Sequence, residues 1–158
     1  MGAVKEVSFE RVYDAPIAKV WEAWTNPEIL KQWWGPDNVS IPECEVDLKV
    51  GGKFYIVMEA GEAMGPIKGT RWPMDAQFTV VEPNAKIAYT AKAWTEGQGD
   101  ATDINQNTEI DMSEENGKTK VTVKAAILST GPAAGAAVQG MEYGFNQQLD
   151  KLTKFLAK

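Results

Sequence analysis

Residues 9–36 read FERVYDAPIAKVWEAWTNPEILKQWWGP, a strand and two short helices joined by proline-marked turns, with four of the chain's six Trp. Val7, Phe9, Arg11 and Tyr13 alternate with Ser8, Glu10 and Val12, the period of a strand with one buried face. Asp14-Ala15-Pro16 ends that strand. Proline suits a helix's first turn, where its missing N–H has no partner to lose. Asp14 can cap this helix or form the turn before it. Ile17, Val20, Trp21 and Trp24 then fall at helical spacing and form one apolar face. Thr25-Asn26-Pro27-Glu28 repeats the signal, with Asn26 as cap or Thr25 and Glu28 as a capping box. The second helix carries Ile29, Leu30, Trp33 and Trp34, and Gly35-Pro36 stops it.

Downstream the period shifts to two. Strands are expected over 43–48, 53–59, 74–82 and 87–94, with a turn at Lys49 to Gly52. Residues 59–73, EAGEAMGPIKGTRWP, read as a long glycine-rich connection, and residues 95–102, TEGQGDAT, as a flexible loop. Residues 103–112 and 118–128 form a hairpin about Glu114-Glu115-Asn116-Gly117, where Asn-Gly favours a tight turn. The last segment is an amphipathic helix whose stripe is Val138, Met141, Phe145, Leu149, Leu152 and Leu156. Gly135, Gly140 and Gly144 each cost a helix ~1 kcal/mol relative to Ala, so its first third should be weak.

Composition narrows the function classes. The 158 residues suggest one domain, and 44% hydrophobic content is ample for a core. A net charge of −6 argues against nucleic acid, whose phosphates demand basic patches. No apolar run approaches a membrane span, and no secretory h-region is visible at Met1. The single cysteine, Cys44, fits a reducing cytoplasm. There is no histidine, which removes the commonest general base and metal ligand and excludes Ser-His and Cys-His nucleophile activation.

One strand, two short helices, about six antiparallel strands and one long helix predict an α+β fold. A sheet of about seven strands must cover its apolar face, and only the C-terminal helix is long enough. The chain resembles the helix-grip (START-like, SRPBCC) superfamily, and within it the activator of heat shock protein 90 ATPase homologue 1-like family. The resemblance rests on Arg11, Ala15-Pro16, Val20-Trp21, Ala23-Trp24-Thr25, Pro27, Trp33 to Pro36, Asp47, Gly51 to Phe54, Val80 to Pro83 and the helix from Gly144-Phe145 to Leu156. Relatives commonly have Gly-Trp where this chain has Gly144-Phe145, and often a His near Ala125 or Ala126. The resemblance implies a cavity between sheet and helix. It also implies, as alternatives, a module acting on a chaperone of the heat shock protein 90 type, or a histidine-independent cyclase or hydrolase.

The expected ligand is a small hydrophobic molecule held without cofactor or metal, by a monomer or homodimer. Strand alternation aims Phe54, Ile56, Phe78, Val121 and Val123 at the cavity, and the helix stripe adds Met141, Phe145 and Leu149. Tyr89 and Gln148 would be its polar handles, and Gly144 would leave room beside the stripe. Trp21 and Trp24 are expected in the core. Of adjacent Trp33 and Trp34, one should pack while the other, Trp34, lines the cavity mouth. Trp72 and Trp94, beside loops, are the stacking candidates. Arg11 should pair with a carboxylate such as Glu22 or Glu43, and Arg71 should be solvated. Glu43, Glu45 and Asp47 share a solvent face, with Cys44 pointing oppositely. The segments 59–73 and 132–140 are expected to gate the cavity from one end.

Overall fold

The computed structural model describes residues 5–157, apart from the side chains at positions 136 and 137. The elements are β1 (Lys5–Tyr13), α1 (Ile17–Thr25), α2 (Pro27–Trp33), β2 (Val39–Val46), β3 (Lys53–Ala60), β4 (Arg71–Glu82), β5 (Lys86–Ala93), β6 (Ile104–Glu115), β7 (Lys118–Thr130) and α3 (Gly135–Leu156), with a 3₁₀ segment Glu62–Ile67 between β3 and β4. The seven strands form one antiparallel sheet in the order β1-β7-β6-β5-β4-β3-β2. Helix α3 buries Leu149, Leu152 and Leu156 against the sheet's apolar face, where Val7, Phe9, Tyr13, Val121 and Val123 are also buried. This is the helix-grip α+β architecture that the order of elements implied.

The local chemistry explains most boundaries. Asn26 caps α2, its side chain accepting from Glu28 N–H at 2.9 Å, with Pro27 as the first helical residue. Asp14 makes no such cap. Pro16 occupies the cap position of α1, and Ile17 N–H instead donates to Glu114 Oε1 at 3.1 Å. The partner comes from the nearby end of β6 because Thr119 Oγ1 donates to Ala15 O at 2.7 Å and pins this turn to the β6–β7 hairpin. In that hairpin Asn116 (φ 54°) and Gly117 (φ 78°) make a two-residue turn with both φ positive, the twist-compatible type I′ form.

Two strands begin earlier than the sequence pattern suggested. β2 starts at Val39, with Ile41 buried, and the pairing slips between Ser40 and Glu43. Pro42 sits inside that slip on an edge strand, where its missing donor is tolerated. β4 starts at Arg71, so the connection read as residues 59–73 is shorter than expected. Pro73 lies within β4 opposite Val57, and its carbonyl accepts from Trp94 N–H at 3.1 Å. A proline read as a loop marker is therefore part of the sheet. Helix α3 runs unbroken through Gly140 and Gly144.

Candidate functional site

The cavity follows from unequal packing of α3 along the sheet. At its C-terminal half the helix fills the space with Leu149, Leu152 and Leu156. From its first third to its middle the helix lines the remaining space with Gly140, Met141, Gly144, Phe145 and Gln148, two of them glycines with no side chain to fill it. The space left is a cavity of about 390 Å³. Its opposite wall is built by alternating residues of the sheet: Ile56 and Met58 on β3, Met74 on β4, Tyr89 and Ala93 on β5, Ile104 and Gln106 on β6. It is also lined by Met64 of the 3₁₀ segment, Trp72, Trp94, Thr95 and Thr102. No described residue lining it carries a formal charge.

Trp34 forms the third side. The neighbouring Trp33 is fully buried, its indole Nε1 donating to Ala23 O at 2.9 Å, so the next residue turns the other way, onto the cavity. The turn that follows is tied to α3. Gly35 N–H donates to Gln148 Oε1 at 3.0 Å, Asp37 N–H donates to Gln147 Oε1 at 3.1 Å, and Lys151 Nζ donates to Trp34 O at 3.2 Å. Gly35 has φ 82° and a Cβ there would meet Met58 Sδ at 2.8 Å, so glycine is needed on both counts. Burial pulls the Lys151 ammonium below its ordinary range, partly offset by Asp37. A base with a lowered folded value adds stability as pH rises through the window below its ordinary value.

An aromatic chain backs the wall. Trp24 and Trp33 meet edge to face at 4.7 Å, and Trp33 meets Trp34 at 5.7 Å. Trp34 meets Phe54 at 5.6 Å, and Phe54 stacks on Phe78 at 5.6 Å and meets Tyr89 edge to face at 5.3 Å. Such pairs add ~0.5–1.5 kcal/mol each beyond area burial and hold ring orientation. Burial pushes the Tyr89 hydroxyl above the ordinary tyrosine range, against a smaller opposing effect of its hydrogen bond with Thr108.

Of the residues singled out from sequence, Trp34, Ile56, Tyr89, Met141, Gly144, Phe145 and Gln148 lie on this cavity. Phe54, Phe78, Val121, Val123 and Leu149 do not. They are on the inward face but within the packed core, because neighbouring aromatic rings, α1 and the C-terminal half of α3 fill the space above them. Trp72 and Trp94 are both on the wall, and the segments 59–73 and 132–140 contribute Met64, Trp72, Pro73 and Gly140 to it. Among the residues not anticipated are Met58, Met74, Ile104 and Gln106. Gln106 carried a readable signal, a polar residue at period two between Ile104 and Thr108 on the inward face.

The charged candidates are structural. Arg11 donates to Asp150 Oδ1 at 2.7 Å and to Asn146 Oδ1 at 3.0 Å, not to Glu22 or Glu43. Arg71 is not simply solvated: it stands opposite Glu59 across β3–β4, bonds its Oε1 at 2.8 Å, and lies 3.8 Å from Glu43 Oε2. Glu43, Glu45 and Asp47 are exposed, and Cys44 is half-buried. Burial pushes its thiol up to about 11, which keeps it protonated and unreactive near neutral pH.

The architecture defines a helix-grip domain with a cavity between the sheet and α3. The family described as activator of Hsp90 ATPase homolog 1-like protein matches residues 14–157, and the chain belongs to that family. Its fold is shared with protein CV1439 from Chromobacterium violaceum, at 18% identity and TM-score 0.78 over 96% of both chains. It is shared with protein NE0264 from Nitrosomonas europaea, at 24% identity and TM-score 0.76 over 96% of this chain and 94% of that one. The AHSA1 protein from Silicibacter pomeroyi aligns at 21% identity and TM-score 0.76 over 97% and 98%. No curated protein matches the chain. Among the described residues no helix is long and apolar enough to cross a membrane.

Proposed function

We propose that the chain is a binding domain for a small hydrophobic molecule, held between the sheet and the N-terminal half of α3. The observation that carries this is the cavity of about 390 Å³, within the range of small-ligand sites, walled by aromatic and methionine side chains and no formal charge. Tryptophans and flexible thioethers suit flat apolar ligands of varied outline. The one titratable side chain among its described lining residues is Tyr89, which burial keeps protonated, so the walls offer no general base. That favours binding over catalysis.

The test is titration with N-phenyl-1-naphthylamine, a neutral dye that brightens in apolar sites. Saturable enhancement with one site per chain is expected. A linear, unsaturable signal would remove the proposal. Family membership motivates a second reading, a module that acts on a chaperone of the heat shock protein 90 type. Its measure is the chaperone's ATPase rate with and without this protein, and an unchanged rate removes it.

A further inference from the structure

Two side chains on the cavity wall are almost fully withdrawn from solvent and only half satisfied. Gln148, 6% exposed, comes from α3, and its Oε1 is used by Gly35 N–H, which fixes the amide's orientation. Its Nε2 has no protein partner. Gln106, 9% exposed, comes from β6 in the facing wall. Its Nε2 reaches Met74 Sδ at 3.9 Å, and its Oε1 has no protein partner. A buried donor or acceptor without a partner is costly, so such groups in a cavity mark where something polar belongs. The free donor comes from the helix side and the free acceptor from the sheet side, and both atoms are closed to solvent, so a ligand reaches them where the neighbouring wall side chains give way. No described lining residue could neutralise an ion.

We infer that the cavity selects neutral aromatic molecules bearing a hydroxyl or amide, which accept from Gln148 Nε2–H and donate to Gln106 Oε1. This rests on the hydrophobic-ligand reading above and adds to it the polar group and the charge. A hydroxyl can serve either wall, since it both donates and accepts. A carboxylate of the same size would be desolvated without a counter-charge and would meet the Gln106 oxygen with a second oxygen. A hydrocarbon would leave both amides unsatisfied, and sites that hydrogen-bond a ligand hydroxyl reject the analogue without it more strongly than apolar pockets reject an extra methylene.

Naphthalene, 2-naphthol and 2-naphthoate share one ring system and differ only in this respect. Each would compete at pH 7 with N-phenyl-1-naphthylamine, on the wild-type chain and on Gln106→Leu, whose melting temperature is checked in parallel. On the wild type, 2-naphthol should bind about tenfold more tightly than naphthalene, for one net hydrogen bond, and at least a hundredfold more tightly than 2-naphthoate. In Gln106→Leu the preference of 2-naphthol over naphthalene should fall about tenfold, with naphthalene unchanged or tighter. Naphthalene binding as well as 2-naphthol to the wild type, or 2-naphthoate binding as well as either, overturns the inference while leaving the cavity reading intact. So does an unaltered preference in a folded Gln106→Leu. If neither the dye nor any of the three binds, the cavity reading itself falls.

Discussion

Replacing Trp33 by Ala should lower stability by about 3–5 kcal/mol, the cost of truncating a fully buried large aromatic. Trp33 has no exposed surface, packs edge to face on Trp24 at 4.7 Å and donates its indole N–H to Ala23 O. The substitution therefore removes packing, leaves a void between α1, α2 and the sheet, and orphans a buried carbonyl. For a chain of this length the melting temperature should drop by roughly 6–20 °C. Trp33 also fixes the direction of Trp34, so dye affinity should fall in the same variant. A drop below about 3 °C by calorimetry would show that this aromatic cluster does not anchor the fold.

The second large effect is on binding with stability kept. Gly144 lies on the cavity wall, and a Cβ built there has only Pro36 Cβ in reach, at 3.9 Å, an ordinary contact. Gly144 is half-buried on that wall, so a leucine there is expected to extend into the cavity. Gly144→Leu should weaken N-phenyl-1-naphthylamine binding at least tenfold. Its melting temperature should stay level or rise, because leucine is the better helix former by roughly 0.8 kcal/mol. A markedly lowered melting temperature would mean instead that the helix face is overpacked there. Unchanged dye affinity would place the bound dye elsewhere.

What was legible in the sequence is what is decided over a few residues. Asn26-Pro27 and Asn116-Gly117 dictate a cap and a turn through their own dihedrals and hydrogen bonds, and both form. Period-two alternation put Phe54, Ile56 and Phe78 on the inward face, where they are buried. Alternation cannot say which inward residues meet open space. That depends on how closely α3 approaches each strand, a distance set by side chains far apart in sequence. Phe54 and Phe78 therefore ended inside a filled stack while Ile56 reached the cavity. The same applies to ion pairs: Arg11 found Asp150, 139 positions away, in preference to nearer carboxylates. Gln106 was readable as a polar residue on an apolar face, but its unsatisfied oxygen depends on Met74 of another strand.

The pairing of β1 with β7 bears on how the chain is made. Tyr13 lies opposite Thr119, 119 − 13 = 106 positions later, and Phe9 lies opposite Val123. At ~5–20 residues per second, a ribosome emits that partner roughly 5–20 s after β1 itself. Through that interval Val7, Phe9 and Tyr13 have neither strand nor helix to cover them. The intervening β2 to β6 can already zip up hairpin by hairpin, since each pairs with its sequence neighbour. The nascent chain thus carries a sticky leading strand that depends on late-arriving segments. This makes early β1 a point of vulnerability to misassociation during translation, even though in the finished fold it is firmly held.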